Sequence, residues 1–171
     1  VRGDQSIAAA RWTYSVRVIP GEIERAAWRN TLMYRLGDDF QLGVEYNPLV
    51  GQVGPLVNWR VMRESDSQPA IILGTSSDRI GTPYGQAYYV TVSKQVTEGL
   101  SLYVGASYSE FEDKILYPAG ATFSFDERWG GMVLYDGRNF TPLASYSWDT
   151  CSLSVLLARM RHPGVSFSVG F

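Results

Sequence analysis

The last seven residues, Val165-Ser166-Phe167-Ser168-Val169-Gly170-Phe171, constrain the fold more than any other segment. Apolar residues alternate strictly with Ser or Gly, and the run ends on an aromatic ring. Alternation with period two makes a strand with one apolar and one polar face. In a water-soluble domain such a strand would leave its terminal ring in solvent. In a strand that closes a lipid-embedded barrel, the apolar face meets hydrocarbon and the ring sits at the interface.

The same pattern runs through most of the chain. Phe40, Leu42, Val44 and Tyr46 oppose Gln41, Gly43, Glu45 and Asn47, and Leu100, Leu102, Val104 and Tyr108 oppose Ser101, Gly105, Ser107 and Ser109. Leu153, Val155 and Leu157 oppose Ser152 and Ser154. Turn residues divide the strands at Pro20-Gly21, Gly37-Asp38-Asp39, residues 64–67, Asp136-Gly137-Arg138-Asn139 and His162-Pro163-Gly164. The expectation is an all-β chain forming one domain over residues 1–171. Its architecture is a single antiparallel transmembrane β-barrel of about twelve strands with short turns. Ten or eight strands remain if the weaker segments near residues 70 and 132 are loops. An even count puts both termini at one end, where the connections around residues 37–39, 64–68, 96–99 and 149–150 are all short. The longer connections, around 47–54, 75–83 and 109–120, then fall at the other end.

The polar face distinguishes a membrane barrel from a soluble one. A soluble barrel packs its apolar face inward and carries many Lys and Glu outside. Here the polar face is built from Ser, Thr, Gly, Gln, Asn and Arg, with Lys only at Lys94 and Lys114. Aromatics make up 13% of the chain and fall near strand ends, as Trp12, Tyr34, Phe40, Tyr46, Tyr108 and Trp148 do. Interfacial girdles require that placement. No run approaches the ~18 apolar residues of a helical span. Charge is balanced, Lys+Arg 15 against Asp+Glu 17, which argues against a nucleic-acid partner. The start lacks a secretion signal, as expected of a mature form or of the C-terminal part of a longer chain.

Six arginines carry the chemistry: Arg11, Arg17, Arg25, Arg29, Arg35 and Arg60 share the parity of the polar face. Arg stays protonated and binds carboxylate or phosphate through its fork, so such a set lining a lumen attracts anions. The competing reading is structural: the same arginines pair with Glu45, Asp126 and Glu127 and brace a closed interior. Catalysis is not expected. His162 is the chain's one histidine and Cys151 its one cysteine, and no nucleophile or paired acids stand at a useful spacing. No metal site and no cofactor are expected either.

The segment Gly164-Val165-Ser166-Phe167-Ser168-Val169-Gly170-Phe171 resembles the C-terminal signal of Gram-negative outer-membrane β-barrel proteins. In that family a Gly is followed by aromatic or apolar residues at every second position, ending in Phe. The resemblance implies outer-membrane location, surrounding lipid, and insertion by the barrel assembly machinery, with Gly164, Phe167, Val169 and Phe171 as the signal. Length and the Arg-rich face resemble small twelve-stranded saccharide-passing, porin-like channels in architecture. The function expected is therefore a channel, or the membrane part of a transport or export system, for anionic solutes such as acidic saccharides. One alternative is a non-conducting barrel that anchors partner proteins, for example in polysaccharide secretion. The second is a soluble ligand-binding barrel.

Overall fold

A computed structural model describes residues 9–171. Thirteen strand segments follow one another: β1 (Trp12–Val18), β2 (Trp28–Arg35), β3 (Phe40–Asn47), β4 (Gln52–Met62), β5 (Ala70–Ser77), β6 (Gln86–Thr97), β7 (Leu100–Ser109), β8 (Lys114–Leu116), β9 (Ala119–Ser124), β10 (Trp129–Tyr135), β11 (Phe140–Trp148), β12 (Cys151–Ala158) and β13 (His162–Gly170). A single helical turn, α1 (Glu24–Ala27), precedes β2. Every neighbour pair is antiparallel, and β1 pairs with β13, which closes the sheet on itself. Segments β8 and β9 both pair with β7 and form one barrel strand, interrupted at Pro118. Proline has no N–H to give the ladder, yet its carbonyl still accepts from Gly105 N at 2.8 Å. The barrel therefore has twelve strands, and both weak segments, β5 and β10, are full members.

Burial is inverted relative to a water-soluble barrel. Among the described residues the buried apolar side chains are Ile19, Leu56, Leu116 and four alanines. Large side chains stand outside: Val104 is 60% exposed, Val155 55% and Val44 50%. That exterior is stable only against hydrocarbon, which removes the soluble alternative. Asn30 shares the outer parity of β2, and Tyr14 Oη donates to its Oδ1 at 2.8 Å. Such pairing is what an apolar surround demands of a polar group.

Aromatic rings collect at both ends of the exterior. Trp12 packs against Tyr34 at 4.6 Å and Trp129 against Tyr146 at 4.9 Å at the end bearing the C-terminus; Tyr135 meets Phe140 at 4.8 Å at the other. Phe171 lies in the first of these belts, its backbone exchanging hydrogen bonds with Trp12 at 2.9 Å in each direction.

Several connections differ from the expectation. The last hairpin turns at Arg159 and Met160, both with positive φ (55° and 57°), while His162, Pro163 and Gly164 already belong to β13. Two like-signed positive φ values suit the right-handed twist of a hairpin, and Gly164 is there for a different reason. A Cβ on it would sit 2.7 Å from Ile19 Cγ1. Two of the expected long loops shrink to the turns 48–51 and 110–113. The third, residues 78–85, is long, as is the connection 19–27 that carries α1. At the end bearing the C-terminus, the connection 63–69 is longer than expected.

Candidate functional site

Alternation fixes what points inward. On β1 and β2 the inward set is Thr13, Ser15, Arg17, Arg29, Thr31, Met33 and Arg35, since Trp12, Tyr14, Trp28 and Tyr34 of the opposite parity are outside. Ser166 and Ser168 continue this wall on β13, facing Arg17 and Ser15 in register. Ser15 Oγ and Ser168 Oγ are 2.8 Å apart. Arg17 and Arg29 are direct cross-strand partners, an arrangement of like charges that is unfavourable unless compensated. Glu45 on β3 compensates one of them, its carboxylate 2.6 Å from Arg29 Nη2, and Asn47 Nδ2 donates to Glu45 at 2.9 Å. Among the described residues no carboxylate lies within ion-pair distance of Arg17.

Next to it in the sheet, on β10, β11 and β12, the wall is apolar. Met132, Leu134, Leu143 and Leu156 come from β10, β11 and β12, with Met132 opposite Leu143 and Leu143 opposite Leu156 in register. Between the two walls lies a cavity of about 300 Å³, with Ile80 of the connection 78–85 also in its lining. A further cavity of about 160 Å³ shares Met132 and Leu143 with it and adds Ser124, Ser145 and Ser147. Another, about 240 Å³, shares Leu134 and is lined by Asp78, Arg79, Tyr89 and Tyr103. The inward tyrosines lie over glycines on the neighbouring strand: Tyr89 faces Gly74 and Tyr103 faces Gly120 in register. A Cβ at Gly120 would come within 2.5 Å of the Tyr103 ring, so close approach requires glycine there.

The connection 78–85 reaches over the mouth at the loop end, tied to α1 on one side and to residues 109–112 on the other. From α1, Arg25 donates to Thr82 O and Thr82 Oγ1 at 2.6 Å, to Arg79 O at 2.8 Å and to Asp78 O at 3.0 Å. Burial lowers the Arg25 guanidinium from its ordinary value, while the Glu45 and Asp78 carboxylates oppose that shift. On the far side Ser109 Oγ donates to Asp78 Oδ2 at 2.5 Å, and Arg79 reaches Glu112 at 2.5 Å. Glu112 is shared with Arg138 of the β10–β11 turn at 2.6 Å. Those hydrogen bonds, Arg138 first, hold the Glu112 carboxyl below the usual range, against a smaller effect of burial. Gly81 takes φ +96° where a Cβ would collide with the Arg159 guanidinium, which itself pairs with Glu22 at 3.1 Å. Thr82 and Ser109 are fully enclosed in this network.

The six arginines thus separate. Arg17, Arg29 and Arg35 are on the inner wall, the first two lining the 300 Å³ cavity. Arg25 departs from the expected strand position: it belongs to α1 and latches the connection 78–85. Arg60 points inward near the other rim and is held by Asp39, 2.8 Å away, and by Asp38 O. Arg63 also grips Asp39 at 2.5 Å, and the two arginines keep its carboxyl below the ordinary range, Arg63 contributing more. Arg11 precedes β1 and is exposed. Asp126 accepts from the backbone of Arg128 and Trp129 at 2.7 Å in its own turn rather than pairing with an arginine of the set. Sequence parity did not reveal Glu22, Asp78, Arg79, Thr82, Ser109, Glu112 or Arg159, because connections have no period. It also did not reveal the apolar wall.

No protein-family model matches the chain, and no curated protein does. Solved structures do. The KdgM porin superimposes with a TM-score of 0.62 at 14% identity, over 94% of this chain and 98% of that one. A KdgM porin in complex with disordered oligogalacturonate gives 0.61 at 15% identity with the same coverage. The NanC porin gives 0.55 at 12% identity, again over 94% and 98%. These likenesses establish the fold.

Proposed function

We propose that this chain is an outer-membrane channel for small anionic solutes, closed at its loop end by the connection 78–85. The observation that carries the reading is the inner wall of β1 and β2, where Arg17 and Arg29 face a cavity and, among the described residues, only Arg29 has a carboxylate, Glu45, within ion-pair distance. A guanidinium with no carboxylate partner in an apolar-walled space is a site for an anion. The similar barrel fold of a porin observed with oligogalacturonate supports the class of solute. Location in the outer membrane, and the role of Gly164, Phe167, Val169 and Phe171 as assembly signal, belong to the same reading.

Reversal potentials in a salt gradient across a planar bilayer test it. Wild-type protein should favour chloride over potassium, and Arg17→Gln should lower that preference at least twofold. Equal selectivity in the two proteins would overturn the role of Arg17. The buried network around Arg25, Asp78 and Thr82 favours a second reading, a sealed barrel that serves as an anchor for partner proteins. Absence of conductance both in the wild type and in a variant with residues 79–84 replaced by a short Gly-Ser link would select it.

A further inference from the structure

The two walls of the 300 Å³ cavity differ in kind, and that difference names a solute. One wall is a continuous hydrogen-bonding patch: Arg17 beside Arg29 and Ser166, Ser15 beside Thr31 and Ser168. The other is an apolar patch of Met132, Leu143 and Leu156, extended by Leu134 and Ile80 and edged by Thr141. The apolar patch adjoins the hydrogen-bonding patch where β12 meets β13, and both border the same open volume. We propose that the lumen site takes an amphipathic organic anion, an aryl or short alkyl carboxylate. Its carboxylate is held at Arg17 and its hydrocarbon body lies on the Met132–Leu143–Leu156 surface. The proposal refines the channel reading and rests on the part of it that brings anions to the Arg17 wall.

The chemistry disfavours a saccharide at this position. A uronate carries hydroxyls around its ring, and those turned toward leucine and methionine would lose water without gaining partners. Saccharide rings stack well on aromatic faces, and no aromatic ring lines this cavity. An arylcarboxylate satisfies both walls at once: its charge meets the fork of Arg17, and its ring removes apolar surface from water.

Isothermal titration calorimetry on the detergent-solubilised full chain, with phenylacetate and galacturonate as probes, decides the matter. Phenylacetate should bind at least tenfold more tightly than galacturonate. Leu143→Asn should weaken phenylacetate at least fivefold and leave galacturonate within twofold, while Arg17→Gln should weaken both. If heat-modifiable migration shows that L143N does not form a barrel, Met132→Gln carries the same comparison. Galacturonate binding as tightly as phenylacetate, binding of neither, or insensitivity of phenylacetate to the wall substitution would overturn the proposal. The channel reading fails separately. Anion-selective conductance with no preference for phenylacetate would keep the channel and remove this solute. Phenylacetate binding without conductance would keep the site and remove the channel.

Discussion

At the scale of single residues, glycine and arginine set the interior. Tyr103 can lie flat against the barrel wall because position 120 has no side chain. Gly120→Val should force the ring out of its place and cost about 1–3 kcal/mol, the usual penalty of overpacking. The measurement is the temperature at which heat-modifiable migration is lost, and Tyr103→Ala in the same chain should recover part of the loss. Among the arginines, identical parity conceals three fates. Arg17 remains without a carboxylate, Arg60 is neutralised by Asp39 at a rim, and Arg25 is consumed by backbone carbonyls. Which fate a residue meets depends on contacts distant in sequence, 21 positions for Arg60 with Asp39 and 57 for Arg25 with Thr82. Periodicity along one strand holds no information about such partners.

At the scale of elements, the strands and the connections were unequally legible. The twelve strands followed from alternation, because lipid outside and a polar centre inside impose period two on every crossing. Even β5 and β10 fit, although Gly74, Gly130 and Gly131 blur their faces. The apolar wall was hidden for the same reason: Met132, Leu134 and Leu156 sit at inward positions, where a leucine looks like an error of phase. The turn at Arg159 and Met160 lacks the Asn-Gly or Asp-Gly signature of its geometry, so the neighbouring Pro163-Gly164 attracted the assignment. The latch formed by the connection 78–85 makes its own prediction. Glu112 is held in its charged form by Arg138 and Arg79, so its carboxyl is depressed. The hold it provides is complete above the ordinary glutamate range and is lost as pH falls through the lowered value. Conductance should therefore rise on acidification of the loop side, with a midpoint below the usual glutamate range. Glu112→Gln should show the raised conductance at neutral pH and little further change with acid.

At the scale of the whole molecule, the barrel is held by ladder hydrogen bonds and an exterior suited to lipid, with few large side chains buried. Closure depends on the last strand, since β13 bridges β12 and β1. Phe171→Ala should reduce the fraction of chain inserted in outer membranes severalfold while leaving refolded barrel nearly as heat-resistant. Urea extraction of the membrane fraction measures the first quantity and heat-modifiable migration the second. The cross-strand contact of Arg17 with Arg29 has a further thermodynamic meaning. Without cargo the wall carries a standing repulsion that one glutamate relieves in part. A bound carboxylate supplies the missing counter-charge, so occupancy and folding are linked. Melting temperature should climb with the concentration of a lumen-binding anion, and the climb should vanish in Arg17→Gln. The transported molecule would then act as a mortar in the wall it crosses, tightening the barrel while it is inside and loosening it on departure.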